Sequence, residues 1–110
     1  MTTAKLSLFS NDLQLAASLF KALSHPARLA IIKYLAGTKV CMTGDICEEV
    51  PLSRTTVNQH LKELKESGFI KGTIEGVKVN YCLNPAKFEE LKKIFDSYFA
   101  GLNLENNQNC

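Results

Sequence analysis

The sequence predicts a single, mainly α-helical domain that carries one small β-hairpin. Apolar residues recur at helical spacing over most of the chain, but from about residue 69 to residue 82 the residues alternate with period two around a Glu75-Gly76 turn. The chain has 110 residues, 45% of them hydrophobic, which is enough for one core. We therefore expect one domain over 1–110, with its core at about 12–102 and flexible ends at 1–10 and 103–110.

The first two helices are predicted over 12–23 and 26–36. The first begins with an aspartate that can cap it, and the second begins with a proline, whose fixed backbone suits the first turn of a helix. Leu15 and Leu19 lie off the main apolar stripe of the first helix, which is therefore apolar on two sides. A helix of this kind is buried between two surfaces, one of which can belong to another subunit.

The residue pattern in the middle of the chain predicts a short helix, a tight turn and a longer helix. A brief helix is expected over 44–50, since Pro51 prevents its continuation. After the turn at Pro51-Leu52-Ser53, the serine caps a helix from Arg54 to Ser67. This order, followed by a hairpin, is that of a winged helix-turn-helix, in which the second helix lies in the major groove of DNA.

Two further elements complete the predicted fold. A β-prone stretch at 39–42 can pair with the hairpin, so the wing has two or three strands. Asn84 and Pro85 open a last helix that runs to about Leu102. The fold class is therefore mainly α with a small β-hairpin, a winged helix-turn-helix of about five helices.

One face of the Arg54–Ser67 helix suits the reading of DNA. Arg54 can pair with guanine through two hydrogen bonds, and Asn58 and Gln59 carry the donor and acceptor that adenine requires. Lysines further along the helix and on the hairpin can contact phosphates, which position a protein without reading sequence. The predicted DNA contacts are Ser53, Arg54, Thr55, Thr56, Asn58, Gln59, Lys62, Lys65, Lys71 and Lys78.

The same polar face is also typical of a helix that is merely exposed to solvent. An alternative function is that of a winged-helix module that binds other proteins. A docking module would be expected to carry apolar residues where this helix carries arginine, asparagine, glutamine and lysine. His60, close to the apolar side, is interpreted as a packed, hydrogen-bonded structural histidine rather than a metal ligand.

Composition excludes several classes of protein. No apolar run approaches the roughly 18 residues of a membrane span, and Met1–Ser10 lacks the pattern of a secretory signal. We therefore expect a cytoplasmic protein, in which the cysteines are thiols because that compartment is reducing. The chain has two histidines, no glycine-rich phosphate loop and no paired carboxylates with a plausible cleft, so an enzyme is not expected. A net charge of +2 is too small to indicate a nucleic-acid partner by itself.

Two stretches resemble the ArsR-type (arsenic and metal-responsive) winged-helix repressors. The first is Leu23-Ser24-His25-Pro26-Ala27-Arg28-Leu29, and the second runs from Leu52 to Leu64 and leads into Ser67-Gly68-Phe69-Ile70. The resemblance covers about residues 12–100. It implies a homodimer, built from the first and last helices, that represses a small operon and releases its operator when an inducer binds.

The sequence favours a dimer independently of this resemblance. The first and last helices carry more apolar surface than one small domain can cover, and an exposed aromatic stripe would be a liability in a monomer. A two-fold dimer places two recognition helices about one DNA turn apart, which predicts an inverted-repeat operator in double-stranded DNA. The predicted dimer-interface residues are Leu15, Leu19, Phe88, Leu91, Phe95, Tyr98 and Phe99.

The cysteines match the metal-sensing members of this family only in part. Those members carry Cys-x-Cys-Asp before the short helix, where this chain has Cys41-Met42-Thr43-Gly44-Asp45, and some carry Cys-Tyr-Cys where this chain has Asn80-Tyr81-Cys82. Trivalent arsenic or a soft metal ion requires three or four thiolates. Cys41, Cys47 and Cys82 form the candidate site, with Cys110 as a further thiol from the tail.

Other roles for the cysteines remain open at this point. Cys47 and Cys82 can be small buried hydrophobic residues, as free cysteines often are. A reversible thiol switch, through oxidation or a persulfide, is another alternative and needs an accessible, reactive cysteine such as Cys41. A metal site on the last helix is not expected, because that helix has no histidine.

Overall fold

The computed structural model describes residues 7–38, 42–43, 50–75 and 78–107, with side chains at 7–38, 50–72 and 80–105. Within these ranges the chain forms four α-helices, one 3-10 helix and a three-stranded sheet. The elements in chain order are α1 (Asn11–Ala22), α2 (Pro26–Ala36), β1 (Met42–Thr43), α3 (Arg54–Glu66), β2 (Ile70–Glu75), β3 (Lys78–Leu83), α4 (Pro85–Ala100) and the 3-10 helix Leu104–Asn107. The predicted mainly α fold with a wing is confirmed.

Some element boundaries differ from those the sequence predicts. Helix α1 starts one residue earlier than expected, because Ser10 rather than Asp12 caps it and accepts a hydrogen bond of 3.2 Å from the Leu13 amide. The predicted helix at 44–50 lies outside the described residues except for Val50. Part of the tail predicted to be flexible, Leu104–Asn107, is a 3-10 helix.

The helices and the first strand of the hairpin enclose one core. Ile31 of α2, Leu64 of α3 and Phe69 have no exposed surface, and Leu19 of α1 is 3% exposed. Phe88 of α4 packs on Phe69 with ring centroids 5.1 Å apart. The core therefore holds α3 on its apolar side and leaves its other side exposed.

Helix α1 is rotated relative to the sequence prediction. Its buried residues are Ala16, Leu19 and Ala22, spaced three apart, so Leu19, which the sequence places off the main apolar stripe, faces the core, whereas Leu13 is 48% exposed. The prediction of Leu19 at the dimer surface is corrected, because that side chain is buried in the core of its own subunit. The helix is apolar on more than one side, so its amino-acid pattern leaves its rotation open and packing fixes it.

The sheet is antiparallel, in the order β1-β3-β2. Strands β2 and β3 form the predicted hairpin, with Ile70 opposite Leu83 and Glu75 opposite Lys78. The short strand β1 adds to the other edge of β3, so the three-stranded form of the wing is the correct one. No helix in the described ranges has the length and apolar character needed to cross a membrane.

Candidate nucleic-acid interface

Helix α3 has one buried side and one exposed side. Val57, Leu61 and Leu64 are at most 3% exposed and face the core, with His60 beside them. Arg54, Thr55, Asn58 and the other polar residues predicted to contact DNA lie on the exposed side. The spacing of the apolar residues fixes this orientation, because positions three and four apart share one face of a helix.

The first turn of α3 is held by a cap. The Ser53 hydroxyl accepts a hydrogen bond of 3.3 Å from the Thr56 amide and donates one of 2.9 Å to the Thr56 hydroxyl. Both residues are exposed, but their hydroxyls are already engaged with each other. Their main contribution is therefore to fix the helix N-terminus, whose positive dipole end favours a phosphate.

The remaining predicted contacts of the helix are distributed along its exposed face. Arg54 and Asn58 are one turn apart, as are Asn58 and Lys62, so these side chains form one row. The Gln59 amide donates to the Glu63 carboxylate at 3.3 Å. This intrahelical bond must be exchanged before Gln59 can bind a base in the way the sequence predicts.

The wing lies against the C-terminal half of α3. A Cβ atom added to Gly72 of β2 would lie 3.6 Å from the Lys65 Cδ and Nζ atoms, so this lysine extends along the strand. Lys71, next to it, is exposed. The structure thus brings Lys65 and the start of the wing together, whereas the side chain of Lys78 lies outside the described residues.

A polar contact that the sequence does not reveal connects α2 to α3. The Arg28 guanidinium donates from Nε to His60 Nδ1 at 3.1 Å and from Nη1 to the Ala22 carbonyl at 3.0 Å. The His60 ring also lies against His25, with ring centroids 4.3 Å apart. The interpretation of His60 as a packed, hydrogen-bonded histidine is confirmed, and Arg28 is the positioning residue that sequence reasoning missed.

Burial is the main cause that lowers the pKa of His60 below 6.5, and the neighbouring His25 and Arg28 lower it further, while Glu63 opposes them. Because Nδ1 accepts from Arg28, the proton of the neutral ring is on Nε2. That Nε2 atom is buried and has no hydrogen-bond partner among the described residues. The ring therefore acts as a neutral packing element behind the exposed side of α3.

Comparison with known proteins decides the family. A helix-turn-helix domain family model matches residues 23–73. An uncharacterized HTH-type transcriptional regulator of Methanocaldococcus jannaschii is 33% identical over 81 residues, which span 74% of this chain and 91% of the relative. The arsenical resistance operon repressor of Escherichia coli is 32% identical over 71 residues, which span 64% of this chain and 61% of the repressor. An ArsR-like transcriptional regulator from a Rhodococcus species superposes with a TM-score of 0.68 at 22% identity, over 83% of this chain and 85% of that one.

The chain belongs to the ArsR-type winged helix-turn-helix transcriptional regulators. As a member of this family it is a DNA-binding regulator of transcription and not an enzyme. The matched range of the family model contains α2, α3 and the start of the wing, and so includes the exposed polar face of α3 described above.

The cysteines of this ArsR-type regulator are placed only in part. Cys82 lies on β3, is half-buried, and is disulfide-bonded, so the expectation of a free thiol is wrong at this position. It is also absent from the buried core, which disfavours the interpretation as a small buried hydrophobic residue. Cys41, Cys47 and Cys110 lie outside the described residues, and in the part of the chain that is described no three metal-ligating residues form a group.

Proposed function

We propose that this regulator is a homodimeric transcriptional repressor that binds an inverted-repeat operator in double-stranded DNA through α3. The observation that carries the proposal is the two-sided nature of α3. Its apolar side is anchored in the core, while its exposed side presents Arg54 and Asn58, two residues suited to bind base edges. Because an anchored helix loses little conformational freedom on binding, these side chains are well placed for direct readout.

The roles we assign on α3 follow from position along the helix. The N-terminal half of a recognition helix enters the groove most deeply, so Arg54, Asn58 and Gln59 are assigned to bases. Lys62 and Lys65 lie towards the other end and are assigned to phosphates, as is Lys71 on the wing. Phosphate contacts release counterions, so affinity is expected to fall steeply with salt.

The proposed dimer surface combines α1 and α4. Phe95, Tyr98 and Phe99 of α4 are 49%, 41% and 45% exposed, and their rings contact one another, with centroids 4.6 Å apart for Phe95 and Phe99 and 5.5 Å for Tyr98 and Phe99. Phe20 of α1 packs edge-on against Phe95 and Tyr98, and Leu15 of the same helix, which lines a cavity together with Tyr98, is 41% exposed. Such a patch fits a second copy of the chain, because a symmetric pair of copies would bury it on both sides.

The predicted interface residues of α4 divide into two groups. Phe88 and Leu91 are partly buried and pack against the core of their own subunit, so they contribute less to the proposed dimer than the sequence alone suggests. The three aromatic residues nearer the helix end carry the exposed area. The proposal therefore centres the dimer contact on the C-terminal half of α4 and on α1.

The test of this function uses the full-length chain and DNA from upstream of its own gene. Fluorescence anisotropy is expected to show binding to an inverted repeat. Light scattering coupled to size-exclusion chromatography is expected to give the molar mass of a dimer. Affinity for a scrambled sequence of the same length provides the control. Binding that is absent, or that does not weaken as salt rises, would contradict the proposal.

For the inducer, two candidates follow from the cysteines, and one is favoured. Arsenite or a soft metal ion would need the thiolates of Cys41, Cys47 and Cys82, and a disulfide-bonded Cys82 cannot supply one. The disulfide instead favours the thiol-redox alternative. If a metal is the inducer, the reduced protein should release DNA when arsenite or cadmium is added. A variant with Cys41, Cys47 and Cys82 all changed to serine should still bind DNA but should not release it in response to either ion. Reduced wild type that is indifferent to both ions would eliminate the metal candidate.

A further inference from the structure

Asn84, at the junction between β3 and α4, forms two hydrogen bonds to the residues that follow α3. Its backbone amide donates to the Phe69 carbonyl at 2.9 Å, and its side-chain Nδ2 donates to the Gly68 carbonyl at 2.9 Å. Gly68 and Phe69 come directly after Ser67, which ends α3. One residue therefore joins the start of α4 to the end of the helix to which we assign DNA binding.

The end of α3 is held by its own hydrogen bonds, so a contact made there acts on the helix. The Phe69 amide donates to the Leu64 carbonyl at 3.0 Å, and the Gly68 amide donates to the Lys65 carbonyl at 3.0 Å. The positive φ of 85° at Gly68 completes this helix-ending motif. Because Phe69 is also fully buried, the two carbonyls that Asn84 binds have a fixed position relative to α3.

The Asn84 side chain forms this contact instead of capping its own helix. Asparagine is a preferred N-cap residue, whose side chain normally accepts a hydrogen bond from an amide of the first helical turn. Asn84 occupies the N-cap position of α4, yet none of the described amides in the first turn of α4 donates to its side chain. The side-chain bond to Gly68 therefore connects two helices rather than stabilising one helix end.

Two packing contacts support the same connection. Lys87 of α4 extends over Gly68, since a Cβ atom added to Gly68 would lie 3.5 Å from the Lys87 Cδ atom. The Lys87 Nζ atom is in turn paired with Glu90 at 3.2 Å. Phe88 packs on Phe69 through the ring contact already described. The first turn of α4 is therefore seated on the junction that follows α3.

We propose that Asn84 is a positioning residue that sets the half-site spacing of the operator by fixing the angle between α4 and α3; this rests on the dimeric DNA-binding function proposed above. In that dimer, α4 lies at the interface and each α3 binds one half-site. The separation of the two α3 helices then depends on how rigidly each is joined to its α4. Changing the spacing by one base pair moves a half-site by about 3.4 Å and rotates it by about a tenth of a turn, which a rigid connection disfavours.

Asn84→Asp separates this connection from the stability of α4. Aspartate has nearly the same shape and is a preferred N-cap, but its carboxylate has no proton to donate to the Gly68 carbonyl. Fluorescence anisotropy measures the affinity of the full-length chain for its operator and for two operators whose half-site spacing differs by one base pair in either direction. We expect the preference for the natural spacing to fall by about fivefold in the variant, which corresponds to the loss of one net hydrogen bond. A destabilised fold would instead lower all three affinities alike and leave that preference unchanged.

Two further variants control for charge. Asn84→Ser is neutral and can cap α4, but its side chain is one atom shorter and does not reach the Gly68 carbonyl, so it should lower the spacing preference as Asn84→Asp does. Asn11→Asp adds the same charge on the exposed surface of α1 and should keep the preference of the wild type.

The outcomes distinguish this inference from the proposed function. A wild type without spacing preference, an unchanged preference in either Asn84 variant, or an equal loss in Asn11→Asp would overturn the role of Asn84. If the wild type forms no dimer or does not bind the operator, the proposed function itself fails.

Discussion

Arg28 of α2 donates a hydrogen bond of 3.1 Å to His60 on the inner side of α3. The same guanidinium binds the Ala22 carbonyl at the end of α1, so one side chain connects three helices. The exposed side of α3, to which we assign DNA binding, lies on the other face of the helix from this contact. The angle at which α3 is presented therefore depends on a residue that never touches DNA in the proposed complex.

Arg28→Ala should destabilise the fold by about 1–3 kcal/mol, because it leaves His60 Nδ1 and a helix-end carbonyl without their donor. Urea unfolding followed by circular dichroism measures the change. Lys33→Ala, on the same helix, is the matched control and should change stability little, since the exposed Lys33 side chain makes no hydrogen bond or ion pair with the described residues. Equal stability of the two variants would mean that the Arg28 contact contributes nothing.

The lowered pKa of His60 predicts a pH dependence of stability. Above its ordinary value of 6.5 the ring is neutral in both folded and unfolded chains, and it adds no pH dependence. As the pH falls below that value, the unfolded chain takes up the proton first, so the free energy of unfolding decreases until the pH reaches the folded pKa. His60→Gln should show a shallower decrease in urea unfolding over this range, and an unchanged slope would contradict the assignment.

Arg54→Ala should weaken operator binding by about 1–3 kcal/mol and relax the sequence preference at one position of each half-site. Anisotropy against a set of operators with single base changes measures both effects. Lys62→Ala provides the comparison, because loss of a phosphate contact weakens all sequences alike. If Arg54→Ala behaves in the same uniform way, Arg54 contacts a phosphate rather than a base.

Phe99→Ser should shift the regulator from dimer to monomer and thereby reduce operator affinity, because it removes apolar surface from the proposed interface. Sedimentation equilibrium measures the association constant. Leu29→Ser is the matched control, since Leu29 is 53% exposed, lies on α2 and is not part of the aromatic patch of α4. If both substitutions lower the association constant equally, or if neither lowers it, the dimer contact lies elsewhere.

Much of the fold follows from local signals in the chain. Pro26 begins α2, Ser53 caps α3, and Gly68, with its positive φ of 85°, ends the segment before the wing. The change from helical to alternating periodicity after residue 69 predicts the hairpin. These features depend on backbone geometry and on capping within a few residues, so the amino-acid sequence alone is sufficient to predict the winged helix-turn-helix and the exposed face of α3.

Only the tertiary structure decided how the elements meet. Leu19 and Leu15 are both leucines of α1, yet packing buries the first and leaves the second exposed. The bond from Arg28 to His60 joins residues 32 positions apart, and the addition of β1 to β3 depends on a register that local patterns leave open. The sequence by itself determined where α3 begins and which of its sides is polar. Long-range packing determined what holds that helix in place and placed Cys82 in a disulfide, because such contacts depend on the fold of the whole chain.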